Sequence, residues 1–352
     1  MVSTKVVTID ILKPNPDCLK EAANIIKTGG LVIIPTETVY GIAADMLNRK
    51  AIDRLYEIKK RPRGAPFSLH IYNKETVADF ATDVPIAAYK LMDKFWPGPL
   101  TMVLKAKDKG TIGIRLPDST VAVWIISASG VPVVCPSANI SGKPAPVNFQ
   151  EAIKDLDGLV DFAIDAGSTK LQAESSVVDL TTTPLRILRE SAVKKEDIEN
   201  TVKKKTVLFV CTGNSCRSVM AEMLLEKKLK EKNRDDVEVL SAGIMILSGF
   251  GATQETKEVL ARVGIDVSAH HSQRVTRDMI NRSDIILVME KLHEEKNLEI
   301  APQAKNRVFL LRDFAKINNN LNIADPIGRS LEFYEQTLSI IKEAIEKIVQ
   351  II

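Results

Sequence analysis

The segment Val207-Leu-Phe-Val-Cys211-Thr-Gly-Asn-Ser-Cys-Arg217-Ser218 sets a continuous apolar run against a short polar loop that holds a cysteine and an arginine. Such a run reads as a buried strand, and a strand that delivers a loop and then a helix is the opening unit of a parallel α/β sheet. Downstream the pattern repeats. A helix is predicted over 219–231, a strand over 237–241, a helix over 253–263, strands over 285–289 and 307–310, and a long final helix from about Ser330. This alternation predicts a doubly wound parallel sheet.

Upstream of residue 193 the order is less regular. GGLVIIPTETVYG (29–41) reads as a glycine turn, a buried strand and a loop, followed by a helix over about 49–60. Further strands are predicted over 67–72, 100–105, 111–115, 131–135, 162–165, 176–180 and 185–188, which makes a mixed α/β domain with a large sheet. Between the halves, KKEDIENTVKKK (194–205) carries Ile198 and Val202 at helical spacing and then a basic run. A short last helix running into a solvated linker is expected there, with a domain over 1–203 and another over 204–352.

The whole chain bounds the classes of function. With 352 residues, 45% apolar and 26% charged, it has material for two soluble cores. Lys+Arg of 48 against Asp+Glu of 45 is too even for a protein that coats nucleic acid or a membrane by charge alone. The longest apolar runs are strand-sized, far below the roughly 20 residues of a membrane span. The N-terminus alternates like a strand and lacks the features of a secretory signal, so a cytoplasmic location is expected. The four cysteines, Cys18, Cys135, Cys211 and Cys216, follow neither a zinc pattern nor a disulfide framework, and no metal site is expected.

The loop after Cys211 suits an anion. Gly213 and Asn214 can take left-handed backbone conformations that turn N–H groups inward, backed by the positive end of the next helix; with Thr212, Ser215 and Cys216 they form a phosphate loop. That field favours an ionised Cys211, which can attack phosphorus in line. Arg217 would clamp two oxygens with its planar fork, and Ser218 would hydrogen-bond the sulfur and cap the helix. Asp325, in Asn-Ile-Ala-Asp325-Pro326, is the candidate general acid and then base. Cys216 could form a reversible disulfide with Cys211, or be a small buried loop residue.

This constellation resembles the low-molecular-weight protein tyrosine phosphatase family over Lys205 to Ile352, through C-x5-R-S, Ser241-Ala242-Gly243 and Asp325-Pro326. Val219 departs from it, where the family usually has proline. Arsenate reductases of the same fold carry a similar loop but need two further cysteines, and none follows Cys216. The resemblance implies a phosphoprotein substrate. Ser215, and a stretch from Asp325 through Tyr334 to Thr337 of the form DP-x-G-x-S-x-x-x-Y-x-x-T, look closer to the protein-arginine phosphatases of the family, and phosphoarginine is favoured over phosphotyrosine. A polar rim beside Ser215 suits a guanidinium better than a phenyl ring. A non-catalytic phosphate reader is the alternative.

In the first half, polar loops fall at strand ends, where α/β proteins bind ligands. No G-x4-G-K-S/T is present. Lysines and arginines there can neutralise a triphosphate, and Ser137 and Asn139, two apart on an extended segment, would share one ligand. PTETVYG (35–41), K-x-R-P-x-x-x-P (59–66), FWPGPLT (95–101), GIRLP (113–117), PSAN-x-SG (136–142), SVVDL (176–180) and ILRE (187–190) resemble in order the YrdC-like threonylcarbamoyl-AMP synthases. The resemblance implies that ATP with Mg²⁺, L-threonine and bicarbonate give threonylcarbamoyl-AMP, which a downstream transferase uses to modify tRNA. It assigns Lys59, Arg61, Arg63, Thr111, Asn139, Ser141 and Arg189 to ATP, and Thr36, His70, Arg115, Ser137 and Ser176 to threonine. Ser191 stands where glycine is common, and Ser175-Ser176 replaces Ser-Thr. The additional C-terminal domain of longer relatives is expected to be replaced by the phosphatase-like one. The alternative is an RNA-binding or sensing module that regulates the phosphatase; whether tRNA is bound directly stays open.

Overall fold

Alternation along residues 31–34 divides their side chains between two cores. Leu31 and Ile33 join Tyr40, Ile42 and Leu55, while Val32 and Ile34 join Leu19, Ile26 and Ile125. A strand buried on both faces requires helices on both sides of its sheet. In this computed structural model, which describes residues 4–245, 249–317 and 320–352, helices Pro16–Lys27 and Thr120–Ser129 cover one face and Arg49–Lys59 and Phe149–Lys154 the other. Residues 1–3 of the N-terminal segment lie outside the described residues.

The chain divides into two units, Met1–Thr201 and Val202–Ile352. The first carries strands β1 (Lys5–Thr8), β2 (Val32–Pro35), β3 (Tyr40–Asp45), β4 (Leu69–His70), β5 (Leu100–Lys105), β6 (Thr111–Arg115), β7 (Val133–Val134), β8 (Phe162–Asp165), β9 (Ser176–Asp179) and β10 (Arg186–Arg189). They form one mixed sheet in the order β1-β8-β2-β3-β7-β4-β6-β5-β9-β10. The sequence reading lacks β3: all six of its residues are buried, so it shows no polar alternation, and it pairs antiparallel with β2 across a loop at Thr36–Val39. Helix Pro16–Lys27 also went unread, although Asn15 caps it by accepting the Asp17 amide and proline stands at its start.

The second unit carries β11 (Lys205–Cys211), β12 (Val237–Gly243), β13 (Ile285–Val288) and β14 (Val308–Leu310), all parallel, in the order β12-β11-β13-β14. Val207 and Phe209 pack with Leu224, Ile341 and Ile345 of helices Arg217–Glu231 and Leu331–Ile351. Leu208 and Val210 pack with Met279 and Ile280 on the opposite face. The chain leaves β11 to one side for β12 and to the other for β13, so Cys211 ends the strand at the topological switch point, where such sheets open a ligand crevice. Helices Arg277–Arg282 and Lys291–Ile300 were not read from the sequence. Among the described residues no helix is long and apolar enough to cross a membrane.

Candidate active sites

In the second unit, the loop 212–216 connects the end of β11 to the helix that begins at Arg217. Asn214 is its left-handed residue, with φ of +53°. Gly213, expected to share that conformation, does not, and a β-carbon there would meet only Ser215 Oγ, at an ordinary contact distance of 3.4 Å. Every polar group of Asn214 is used. Its amide donates to Cys211 Sγ (3.3 Å), and its side-chain nitrogen donates to Ser218 Oγ (3.0 Å) and Ser241 Oγ (2.7 Å). Its side-chain oxygen accepts from the Gln273 amide (2.9 Å), and its carbonyl accepts from His270 Nε2 (2.8 Å). Those five bonds hold a conformation that costs a side-chain-bearing residue energy.

Ser218 Oγ lies 3.0 Å from Cys211 Sγ, and because it accepts from Asn214 its own proton is free for the sulfur. The expected capping role is not met: Cys216 occupies the N-cap position without a side-chain cap bond, and Ser218, already inside the helix, turns to the sulfur. Ser241 passes its proton to Glu222 Oε2 (2.6 Å), whose carboxyl burial pushes up to about 7. Cys216 Sγ sits among the hydroxyls of Ser215 (3.6 Å), Thr253 (3.6 Å) and Tyr334 (3.7 Å), and Cys211 and Cys216 are both unpaired thiols.

Arg217 is 1% exposed. Its Nη1 donates to Glu290 Oε2 (2.7 Å) and the Ile323 carbonyl (2.7 Å); its Nη2 donates to Thr212 Oγ1 (3.0 Å) and pairs with Asp325 Oδ2. Its Nε is buried without a hydrogen-bond partner, a donor that a phosphoryl oxygen would satisfy. Asp325 thus stands on the arginine, its other oxygen accepting the Ile327 amide (3.1 Å). The expectation of a polar rim needs correction: Met245, whose amide donates to the Thr212 carbonyl, is 47% exposed and Ile327 is 60% exposed. Glu290 and His293, both at this site, were not found from sequence; the only local signal is their reciprocal capping of helix Lys291–Ile300.

The first unit encloses a cleft of about 440 Å³ at strand ends, lined among others by Thr36, Arg61, His70, Thr111, Arg115, Ser137 and Arg189. Arg115 and Glu37 form an ion pair at 2.6 Å with side chains 5% and 2% exposed, and Arg115 Nε donates to the Gly98 carbonyl (3.1 Å). Glu37 neutralises the guanidinium and fixes its plane, leaving Nη1 as the nitrogen without a partner among the described residues. His70 is held well below its ordinary value, to about 3, first by burial and then by Arg115. It therefore offers the cleft a neutral ring.

Other assigned residues stand elsewhere. Lys59 Nζ donates to the carbonyls of Ser137 (2.5 Å) and Asn139 (2.8 Å), and burial and the nearby Arg61 lower it to about 8. It buttresses the loop 137–141, whose Ser141 amide returns a bond to the Lys59 carbonyl (2.9 Å). Asn139 accepts from Ser137 Oγ (2.5 Å) and donates to the Lys143 carbonyl (2.6 Å), so Ser137 and Asn139 meet each other. Arg63 is exposed and paired with Asp53, and Ser141 is exposed; neither lines the cleft.

Ser176 corrects the expectation most clearly. It is wholly buried, donates to the Val193 carbonyl (2.6 Å) and accepts the amides of Ser191 (2.9 Å) and Val193 (2.9 Å). Alternation turns its neighbour Ser175 into the cleft, where its hydroxyl meets Thr101 Oγ1 (2.9 Å) and Arg189 Nη2 (3.2 Å). Glu174, the carboxylate of that wall, pairs with Arg189.

A basic, hydroxyl-lined cleft on a mixed sheet and a cysteine-arginine loop at the switch point of a parallel sheet define two enzyme classes in one chain. The Sua5/YciO/YrdC family model, described as telomere recombination, matches residues 24–191, and the low molecular weight phosphotyrosine protein phosphatase model matches 206–352. A putative threonylcarbamoyl-AMP synthase of Methanocaldococcus jannaschii is 36% identical over 196 residues, covering 53% of this chain and 93% of that one. A probable low molecular weight protein-tyrosine-phosphatase EpsP of Ralstonia nicotianae is 37% identical over 142 residues, covering 40% of this chain and 92% of that one. The chain belongs to both families: its first unit to the Sua5/YrdC family and its second to the low-molecular-weight phosphatases.

The threonylcarbamoyl-AMP synthase of Pyrococcus abyssi is 38% identical over 212 residues, 58% of this chain, and the match spans only 62% of that protein's length. A solved structure of a P. abyssi Sua5 variant superposes with a TM-score of 0.54 at 25% identity, covering 87% of this chain and 98% of that one.

Proposed function

We propose that the chain is a bifunctional enzyme. The first unit condenses L-threonine, bicarbonate and ATP into threonylcarbamoyl-AMP, with release of pyrophosphate and water, and threonylcarbamoyl-AMP is the donor for a tRNA-modifying transferase. The observation that carries this is the cleft: Arg61 and Arg189 stand on its wall for a triphosphate, and Arg115 stands, neutralised by Glu37, for a carboxylate. Mg²⁺ enters with ATP as part of the substrate; among the described residues, Glu174 is the carboxylate on the cleft wall, and it is engaged by Arg189. The carbamate oxygen attacks the α-phosphorus, and the residues act by positioning and charge neutralisation. Threonine- and bicarbonate-dependent ATP–pyrophosphate exchange tests it; no exchange by the folded chain, together with tight RNA binding, would favour an RNA module.

The second unit hydrolyses phosphoprotein. Cys211 attacks phosphorus, Arg217 and the loop amides hold the equatorial oxygens, and Asp325 protonates the leaving group and then activates water. Carrying this is the gathering of Cys211, Arg217 and Asp325 around one loop, with Arg217 Nε unsatisfied. Phosphoarginine is favoured by the small hydroxyl of Ser215 and the absence of an aromatic residue next to Asp325-Pro326. The exposed apolar side chains of Met245 and Ile327 support phosphotyrosine as the second reading. Hydrolysis of phosphoarginine and phosphotyrosine peptides side by side, with Cys211→Ser as the blank, decides between them; no hydrolysis of either would leave a phosphate reader.

A further inference from the structure

Hydrogen-bond roles around Thr212 leave one proton unassigned. The Glu290 amide donates to Nδ1 of His293 (3.1 Å), so Nδ1 carries the lone pair and the ring proton sits on Nε2. That proton goes to Thr212 Oγ1, 3.0 Å away. Arg217 Nη2 donates to the same oxygen, also at 3.0 Å. Both lone pairs of the hydroxyl are then filled, and its own O–H can only donate. No acceptor for it is found among the described residues, and Thr212 directly follows the nucleophile in the loop.

We infer that Thr212 donates its hydroxyl proton to an oxygen of the bound phosphoryl group, and that His293 is the positioning residue that aims it. The inference rests on the phosphatase function proposed above. His293 is fully buried, with Arg217, Glu290 and Asp325 as its charged neighbours; burial and Arg217 lower it to about 4, so the neutral tautomer required here persists through neutral pH. The Glu290 amide fixes the ring at Nδ1, and Asn297 Nδ2 ties the His293 main chain by donating to its carbonyl (2.7 Å). The hydroxyl thereby adds a neutral donor to a cradle otherwise built from backbone amides and a guanidinium.

The test is the affinity of the full chain for inorganic phosphate, measured by calorimetry and as competitive inhibition of p-nitrophenyl phosphate hydrolysis. Thr212→Val, which keeps the volume and removes the hydroxyl, is expected to weaken phosphate about tenfold, the effect of one hydrogen bond to a charged group. Thr212→Ser is expected to stay within about twofold. His293→Leu is expected to reproduce the loss when Thr212 is present and to add nothing in the Thr212→Val background, with His293→Gln, which keeps an N–H donor, restoring part of it. Wild-type phosphate affinity in Thr212→Val overturns the inference, as does an equal His293→Leu effect in both backgrounds. Should Cys211-dependent hydrolysis persist alongside a neutral Thr212→Val, the inference falls and the phosphatase stands; should the wild-type chain neither bind phosphate nor hydrolyse, both fall.

Discussion

A β-carbon on Gly243 would lie 2.7 Å from the carbonyl oxygen of Thr212. The end of β12 therefore presses directly on the phosphate loop, and the amides of Ile244 and Met245 continue the contact by donating to the carbonyls of Cys211 (3.0 Å) and Thr212 (3.0 Å). Gly243 is needed for this close approach and not for a special backbone angle.

Gly243→Ala forces loop backbone to move, because the atoms it meets belong to the main chain of Thr212, Gly213 and Asn214. A stability loss of about 1–3 kcal/mol is expected, with a larger relative loss of phosphate affinity. Thermal unfolding and phosphate titration check it; wild-type affinity in the variant would refute the packing account.

Asp325 occupies the Arg217 guanidinium that phosphate also needs. Asp325→Asn removes that competitor and the proton donor together. Turnover is expected to fall by about 10²–10⁴, whereas phosphate binds at least as tightly as to the wild type. Weaker phosphate binding in this variant would show that Asp325 holds the loop in shape.

Adjacent serines in the first unit should separate by role. Ser175→Ala is expected to weaken ATP or threonine in equilibrium binding with little change in unfolding, since its hydroxyl faces the cleft. Ser176→Ala leaves the buried Val193 amide, the half-buried Ser191 amide and the Val193 carbonyl without this partner and is expected to cost about 1–3 kcal/mol of stability. The reverse pattern would restore Ser176 as the ligand-facing residue.

Glu222 gives stability a pH slope. Its folded value of about 7 lies above the ordinary 4.5, because burial, helped by the nearby Glu226, disfavours the anion more than the bond from Ser241 favours it. The native state thus holds the proton more tightly than the unfolded chain, so this contribution is fully present at low pH and is lost as pH rises toward and through about 7. Urea midpoints of the wild type and Glu222→Gln, compared between about pH 5 and pH 8, should show the wild type losing on the order of 2–3 kcal/mol relative to the variant. A constant difference would mean that Glu222 titrates normally.

Sequence reading recovered elements and residues whose signals are local. Strands β5, β6 and β8 were bounded correctly because each is flanked by turn residues, and β11 with its cysteine loop was evident from one apolar run. β3 was not, because a strand buried on both faces carries no period of two. The sequence reading assigned Ser176 to the ligand, but its neighbour Ser175 lines the cleft, because one residue of register determines which of the two faces it.

The sequence alone determined the two families and the fold class of each half, since motif order and apolar patterning are local properties of the chain. Only the tertiary structure decided how those groups are engaged. It turned Lys59 onto the carbonyls of Ser137 and Asn139, set Glu37 against Arg115, and brought Glu290 to Arg217 from 73 residues away and His293 to Thr212 from 81. The physical reason is that a hydrogen-bond role depends on which partner lies within about 3 Å, and in these sheets the partners arrive from strand ends far apart in sequence.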